Sequence, residues 1–301
     1  MKHTIDKYST IIAFLAVVLS WSTSWFMIKF QLGVVPETLS VAYRFFGASA
    51  ILFIIANLLK FPLKFSKKQH FIIFIQGINL FFFNHLFFYN AIHFLNSGVV
   101  ATFSALTIIA APFIDYIIHR SKIVPRLFYG GLISLIGIAI ISINEFGGTN
   151  FDDKAIKGII LCLLGVTSFS LGSVIGKDLK LRNIKTLISS TAYSMLYGSI
   201  LSFITNYVKG QEFIFDTSET YILSLLYLII IPGIVGYCSI LFLVDKIGSI
   251  RASYTALLYP IIALFISNFF ENYIFTFTTF TAIILIFIGN LIALNSREKI
   301  N

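Results

Sequence analysis

Charge is scarce in this chain. Of its 301 residues only 12% are charged, and 13 are acidic, against roughly 25% charged in an ordinary soluble domain. Cysteine is almost absent. Cys162 and Cys238 both fall inside apolar stretches, where they read as small packing residues, and two thiols exclude a disulfide-stapled scaffold. The five histidines, His3, His70, His85, His93 and His119, form no ligand-spaced pair such as H-E-x-x-H, so no metal site is expected. The chain also lacks a G-x-G-x-x-G after a strand, a Walker loop and a G-x-S-x-G elbow. These absences predict no cofactor, no nucleotide-driven chemistry and no catalytic residues.

What is abundant is hydrocarbon. Hydrophobic residues make up 57% of the chain, and the mean hydropathy is +0.91. Windows of about 20 apolar residues, the length that crosses roughly 30 Å of bilayer, fall at about 10–29, 38–59, 71–92, 97–118, 126–143, 156–176, 186–207, 221–243, 252–270 and 274–294. Runs of this length are helical, because a lipid-exposed backbone must satisfy its own hydrogen bonds and a barrel would show short alternating strands. The predicted class is an all-α integral membrane protein with ten transmembrane helices. The first stretch follows Lys2 and Lys7 but ends in Trp25, Phe26 and Met27 without a small-residue cleavage pattern, so it is expected to be retained.

Lysine and arginine set the orientation. With the N-terminus inside, 17 of the 22 basic residues fall in inside segments, while the outside loops collect Glu37, Glu145, Asp152, Asp153, Glu212, Asp216 and Glu219. The positive-inside rule then places both termini in the cytoplasm of a bacterial cell, the chain being multi-pass in its inner membrane. Topology and anionic headgroups account for the net charge of +9, so nucleic acid is not an expected partner.

The stretch "SWSTSWFMIKF" at 20–30 has a twin in "SFSLGSVIGKD" at 168–178: Ser20 matches Ser168, Trp21 matches Phe169 and Lys29 matches Lys177, an offset of 148 residues. "ATFSAL" at 101–106 is echoed by "ASYTAL" at 252–257, an offset of 151. Two five-span halves, about 10–144 and 155–296, are predicted. An odd number of spans makes the halves inverted, the usual geometry of secondary carriers that hold solute near the midplane.

These segments also resemble a known family. The W-S-T element at 21–23 before Lys29, "PETLSVAYR" at 36–44, "AIHFLNSGVVATFSAL" at 91–106 and "KIGSIRASYTALLYP" at 246–260 before Glu271 are together similar to the EamA family of the drug/metabolite transporter superfamily. The resemblance implies a ten-helix inner-membrane carrier of small organic solutes, commonly an exporter, with helices of both halves around one central cavity.

Candidate cavity residues follow from residue chemistry. Trp21 and Trp25 share one face of the first span. The hydroxyls beside them, Ser22 included, either bond back to carbonyls one turn earlier or line a polar path. Arg44 sits about two turns into the second span, where a charge is costly unless it faces a cavity or partner. It either binds a carboxylate or phosphate of the substrate, or snorkels outward and pairs with Glu37. Asn84 and His85 lie near the middle of the third span, and Ser170, Tyr193, Tyr237 and Tyr254 offer hydroxyls and rings from the second half. Lys29, at the outer end of its span, is a candidate gate or anion attractor. Pro232, Gly233 and Pro260 are candidate hinges, because proline removes a helix hydrogen bond.

The predicted function is secondary transport of small organic metabolites, amino-acid-like or otherwise polar and amphipathic, by alternating access, in export or exchange. The expected partners are a small solute and the bilayer, with no nucleotide-driven subunit. No carboxylate falls at the midplane, and His85 is the one mid-span group that titrates near neutral pH, which favours facilitated diffusion or exchange. The alternatives are a membrane-embedded enzyme acting on lipid-linked substrates and a receptor or assembly subunit without transport. The enzyme would want clustered acids or histidines at one surface, and the receptor would need no mirrored halves.

Overall fold

A computed structural model describes residues 2–122, 125–145, 152–181 and 183–297; the chain's extreme ends, expected on the cytoplasmic side, lie outside them. Among the described residues there are helices and no strand. Helix α1 runs Lys2–Lys29, α2 Glu37–Leu58, α3 Lys67–Ala91, α4 Ser97–His119 and α5 Pro125–Glu145. The second half gives α6 Asp153–Gly176, α7 Ile184–Val208, α8 Glu219–Ser249, α9 Thr255–Phe270 and α10 Phe277–Arg297. Serine and aspartate start several of them: Ser66 forms a reciprocal capping box with Gln69, and Asp152 and Ser218 accept from Ala155 N and Tyr221 N.

Nine of these helices are long and apolar enough to cross a membrane, whereas α9 has 16 residues. At about 1.5 Å per residue α9 reaches about 24 Å, short of the roughly 30 Å hydrocarbon core. The expected span at 252–270 is interrupted for a local reason. Gly248 adopts φ 82°, ψ 160°, a backbone state that glycine enters without Cβ strain, and it ends the helical path of α8. One helical turn over 249–252 and a tight turn at Ser253–Tyr254, inside the expected span, then precede α9. The first half also has a break, in α4 between Ser104 and Thr107, but there the backbone stays in the right-handed helical region.

Neighbouring helices alternate in direction, so the chain has a Lys29 face and, opposite it, a Lys177 face. Helix pairing is symmetric between the halves. α2 packs on α7, α4 on α9 and α5 on α10; α1 packs on α8 and α9 just as α6 packs on α3 and α4. Each first-half helix thus meets its own counterpart or the mirror of a counterpart's contact, the arrangement of two inverted five-helix repeats. A further pair of features obeys the repeat: a π-helical turn at Ile78–Phe83 in α3 and another at Ile231–Gly236 in α8.

Small residues bring the backbones together. A Cβ on Gly289 would stand 2.5 Å from the Gly130 carbonyl, and one on Gly137 2.7 Å from that of Ala282, so α5 and α10 touch backbone to backbone. Ser49 Oγ donates to Ala192 O across α2 and α7 at 2.8 Å. Lipid tails are as apolar as leucine, so close van der Waals packing and interhelical hydrogen bonds hold such helices together. Outward positions are greasy: Ile12, Leu15 and Leu19 on α1 and Phe128, Leu132 and Leu135 on α5 are exposed, the side-chain pattern of a lipid-facing surface.

Candidate functional site

The hydroxyls of α1 mostly serve the helix itself. Ser22 Oγ donates to Leu19 O at 3.0 Å, Thr23 Oγ1 to Leu19 O at 2.8 Å and Ser24 Oγ to Trp21 O at 2.8 Å. Each side chain is thereby satisfied in a medium without water. They also leave the face slim enough for close neighbours. A Cβ on Gly236 would lie 2.8 Å from both Ser20 Oγ and Trp21 Nε1, so the π-turn of α8 comes up against the Trp21 indole.

A cavity lies between the two halves. The first half supplies Trp21, Ser24 and Trp25 from α1, Arg44 from α2, Asn84, His85 and Phe88 from α3, and Ser104 and Thr107 from the break in α4; the second half supplies Phe169, Tyr237 and Tyr259. Repeat symmetry explains part of this lining. Trp21 and Phe169 are the matched residues of the twin segments. Asn84 and Tyr237 are the first residues after the two π-turns. A π-turn inserts an extra residue and rotates the succeeding side chains around the helix axis, and here it presents Asn84 and Tyr237 to the cavity in both halves.

Aromatic contacts fix the walls. Trp21 meets Tyr237 edge-on with centroids 5.7 Å apart, and Tyr259 at 5.7 Å and 87°. Trp25 meets Phe88 at 4.9 Å and 88°. Polar ties complete them: Asn84 Nδ2 donates to Gly165 O at 2.9 Å, joining α3 to α6, and the Ser104 and Tyr259 hydroxyls are 2.7 Å apart. As the helices stand, the cavity volume is about 70 Å³, well short of the roughly 300–1,000 Å³ of small-molecule sites. The site is contracted, and a solute enters only if the helices part.

Arg44 is the charge in this cavity. It is 2% exposed, its Nη1 donates to the Tyr89 hydroxyl at 3.4 Å, and its Nε has no partner. Glu37 is engaged elsewhere, with its Oε1 2.6 Å from His93 Nε2. Arg44 therefore neither snorkels nor pairs with Glu37, and it makes no ion pair among the described residues. A buried charge without a counterion costs several kcal/mol.

The other expected cavity residues sit elsewhere. Ser22 faces its own helix. Ser170 is buried away from the cavity lining. Tyr193 packs edge-on against Phe53 and His70 and donates to Leu63 O at 3.2 Å, and Tyr254 lies against a separate apolar cluster around Ile108 and Leu257. Ser22 and Ser170 are on lining helices but on the wrong faces, whereas Tyr193 is on α7, which contributes nothing to the lining, and Tyr254 is in the turn before α9. Pro232 and Gly233 fall inside the α8 π-turn, and Pro260 lies within α9 next to Tyr259. Ser104, Thr107, Phe88 and Phe169 join the lining without having been expected there; the α4 break that exposes the first two has no proline or glycine to announce it.

Ion pairs join the halves at both faces. On one, Lys29 Nζ is 2.9 Å from Glu271 Oε1, and the Glu271 side chain is fully buried. Glu271 Oε2 also accepts from Ser97 N at 3.0 Å, Ser97 Oγ at 2.8 Å and Ser267 Oγ, while Glu145 Oε1 accepts from Asn96 N at 2.8 Å. Two carboxylates thus sit on the positive N-terminal end of α4. On the opposite face Lys177 Nζ is 3.0 Å from Asp115 Oδ2, and His119 places its two ring nitrogens 2.9 Å and 3.0 Å from Asp115 and Asp178. Lys29 and Lys177 are the matched lysines of the twin segments, and each pairs with an acid of the other half.

Comparison with known proteins agrees with this architecture. The EamA-like transporter family matches residues 8–143 and again residues 156–295. An uncharacterized transporter encoded in the trpA 3'region of Buchnera aphidicola subsp. Schlechtendalia chinensis is 27% identical over 265 residues, covering 88% of this chain and 86% of its own. Protein PagO of Salmonella typhimurium is 24% identical over 294 residues, covering 97% and 95%. A solved structure described only as a crystal structure of protein superposes with a TM-score of 0.70 at 19% identity, over 95% of this chain and 98% of that one, which is a likeness of fold.

Proposed function

The chain belongs to the EamA-like transporter family, and from that premise we propose that it is a secondary carrier of small organic metabolites, amino-acid-like or otherwise polar and amphipathic, working by alternating access in export or exchange. The halves are taken as 10–144 and 155–296. The site is the cavity between them, with Trp21, Trp25, Arg44, Asn84, His85 and Tyr237 in contact with solute. The same reading sets the protein in a bacterial inner membrane with its termini and the Lys177 face in the cytoplasm, in keeping with the distribution of lysine and arginine.

One observation carries this reading: a cavity lined by both halves has, on the two opposite faces of the bundle, ion pairs made by the repeat-matched lysines across the halves, Lys29 with Glu271 and Lys177 with Asp115. Breaking one pair while the other holds opens the cavity to one side only, which is the elementary step of alternating access. The π-turns are the places to bend, because their helical hydrogen bonding is already disturbed, and Pro232 and Gly233 lie in one of them. No carboxylate lines the cavity, which supports exchange or facilitated diffusion over a buried-acid proton relay. The acids of the Lys29 face cap α4 instead of forming an open catalytic cluster, which supports transport over enzymatic action on lipid-linked substrates.

The test uses a single cysteine at Thr107 in a background free of Cys162 and Cys238, and a membrane-impermeant maleimide applied from either side of oriented vesicles. Lys29→Ala is expected to raise labelling from the Lys29 side, and Lys177→Ala from the other. Equal labelling from one and the same side in both variants defeats the two-gate reading.

A further inference from the structure

The charge balance of the cavity is one-sided. Its lining holds one arginine, one histidine and no carboxylate. Arg44 is buried, makes a single long bond to Tyr89, and leaves Nε without a partner. Its guanidinium carbon lies 5.0 Å from the centroid of the Phe45 ring, a cation–π contact that offsets only part of a desolvated charge. The repeat offers it no balancing twin: at the offset of 148 that matches Trp21 with Phe169, Arg44 meets Ala192. Packing of α2 on α7 does not depend on a cation here, since the two are already tied by Ser49 to Ala192 O and by Thr38 to Asn206.

We propose, building on the carrier reading above, that the transported solutes are organic monoanions whose acid group pairs with Arg44 while an apolar or aromatic body lies against Trp21 and Tyr237. A planar guanidinium presents parallel N–H donors that match a carboxylate, phosphate or sulfonate edge, and an incoming anion supplies the counterion that the protein withholds. An ammonium group finds no carboxylate in the lining, and Arg44 repels it. The class is therefore anionic before it is amino-acid-like, and a zwitterion brings an ammonium for which the lining holds no carboxylate. The edge-to-face walls of Trp21, Tyr237 and Tyr259 offer that body apolar ring surface.

The chain's two tryptophans both line the cavity, so intrinsic fluorescence reports on it. Purified protein in detergent is titrated with two matched trios: phenylacetate, phenethylamine and phenylalanine, and butyrate, butylamine and 2-aminobutyrate. Wild type is expected to bind the acid of at least one trio tenfold or more tightly than the amine and the zwitterion of that trio. R44Q is expected to weaken the acid at least tenfold without weakening the amine, with R44K retaining part of the affinity. If R44Q does not fold, the wild-type ranking and R44K decide. The proposal is overturned if no acid outranks its amine and zwitterion, if R44Q or a folded R44K binds the acids as wild type does, or if no compound alters the fluorescence. Amine binding unaffected by R44Q sinks the anion assignment when no acid binds more tightly, and leaves the cavity a solute site. The carrier reading itself stands or falls on the maleimide sidedness test, which needs no solute.

Discussion

The Lys29 ammonium lies 2.9 Å from the Glu271 carboxylate, joining the end of α1 to the turn after α9. Glu271 is buried and also holds Ser97 at the start of α4. Three helices of the two halves therefore meet at one carboxylate. Removing Lys29 leaves a buried carboxylate without its cation, and removing the Glu271 charge loosens its ties to α4, so Lys29→Ala and Glu271→Gln are each expected to destabilise. Their double-mutant cycle in denaturant titration is expected to give a coupling of about 1–2 kcal/mol. Additive effects would mean that the two groups do not work together.

The α4 N-terminus gives a local readout of the same contact. Glu271→Gln removes negative charge from the positive end of the helix, so amide exchange at Ser97–Val100 is expected to accelerate while the middle of α7 is unchanged. Uniform acceleration would point instead to global loosening.

Gly236 faces Trp21 with no room for a side chain, a Cβ there being 2.8 Å from Trp21 Nε1. Gly236→Val is expected to displace the indole at a cost of roughly 1–3 kcal/mol, typical of overpacking, with a shift in tryptophan emission. An unchanged spectrum and stability would show that α8 yields freely at its π-turn.

The α5–α10 contact lies away from the cavity and is made by Gly130, Gly137 and Gly289. Gly289→Leu is expected to cost about 2 kcal/mol or more by separating two backbones, yet leave the solute affinity of the folded fraction within about twofold, as distant sites act independently. A tenfold loss of affinity would join this peripheral pair to the site.

Asn84 Nδ2 bonds the Gly165 carbonyl across α3 and α6. Asn84→Leu is expected to lower stability by roughly 0.6–1.7 kcal/mol, the range of interhelical hydrogen bonds in membranes, measured by thermal denaturation in detergent. A larger loss would show that the bond also anchors the π-turn before it.

The sequence by itself determined the membrane class, the ten apolar segments and the two-part repeat, because a bilayer imposes length, hydropathy and backbone satisfaction on each segment separately. It also singled out Arg44, since a charge inside an apolar run is legible without any neighbour. Only the tertiary structure decided which hydroxyls and rings share the cavity. Tyr237 is there because it follows a π-turn on a helix that borders the cavity, and Tyr193 is not because α7 contributes nothing to the lining; which helices border the cavity depends on their packing, and the π-turn at Ile78–Phe83 holds no proline or glycine to signal it. It likewise decided that Lys29 meets Glu271, 242 residues further along the chain, a contact that exists only once the inverted halves have packed.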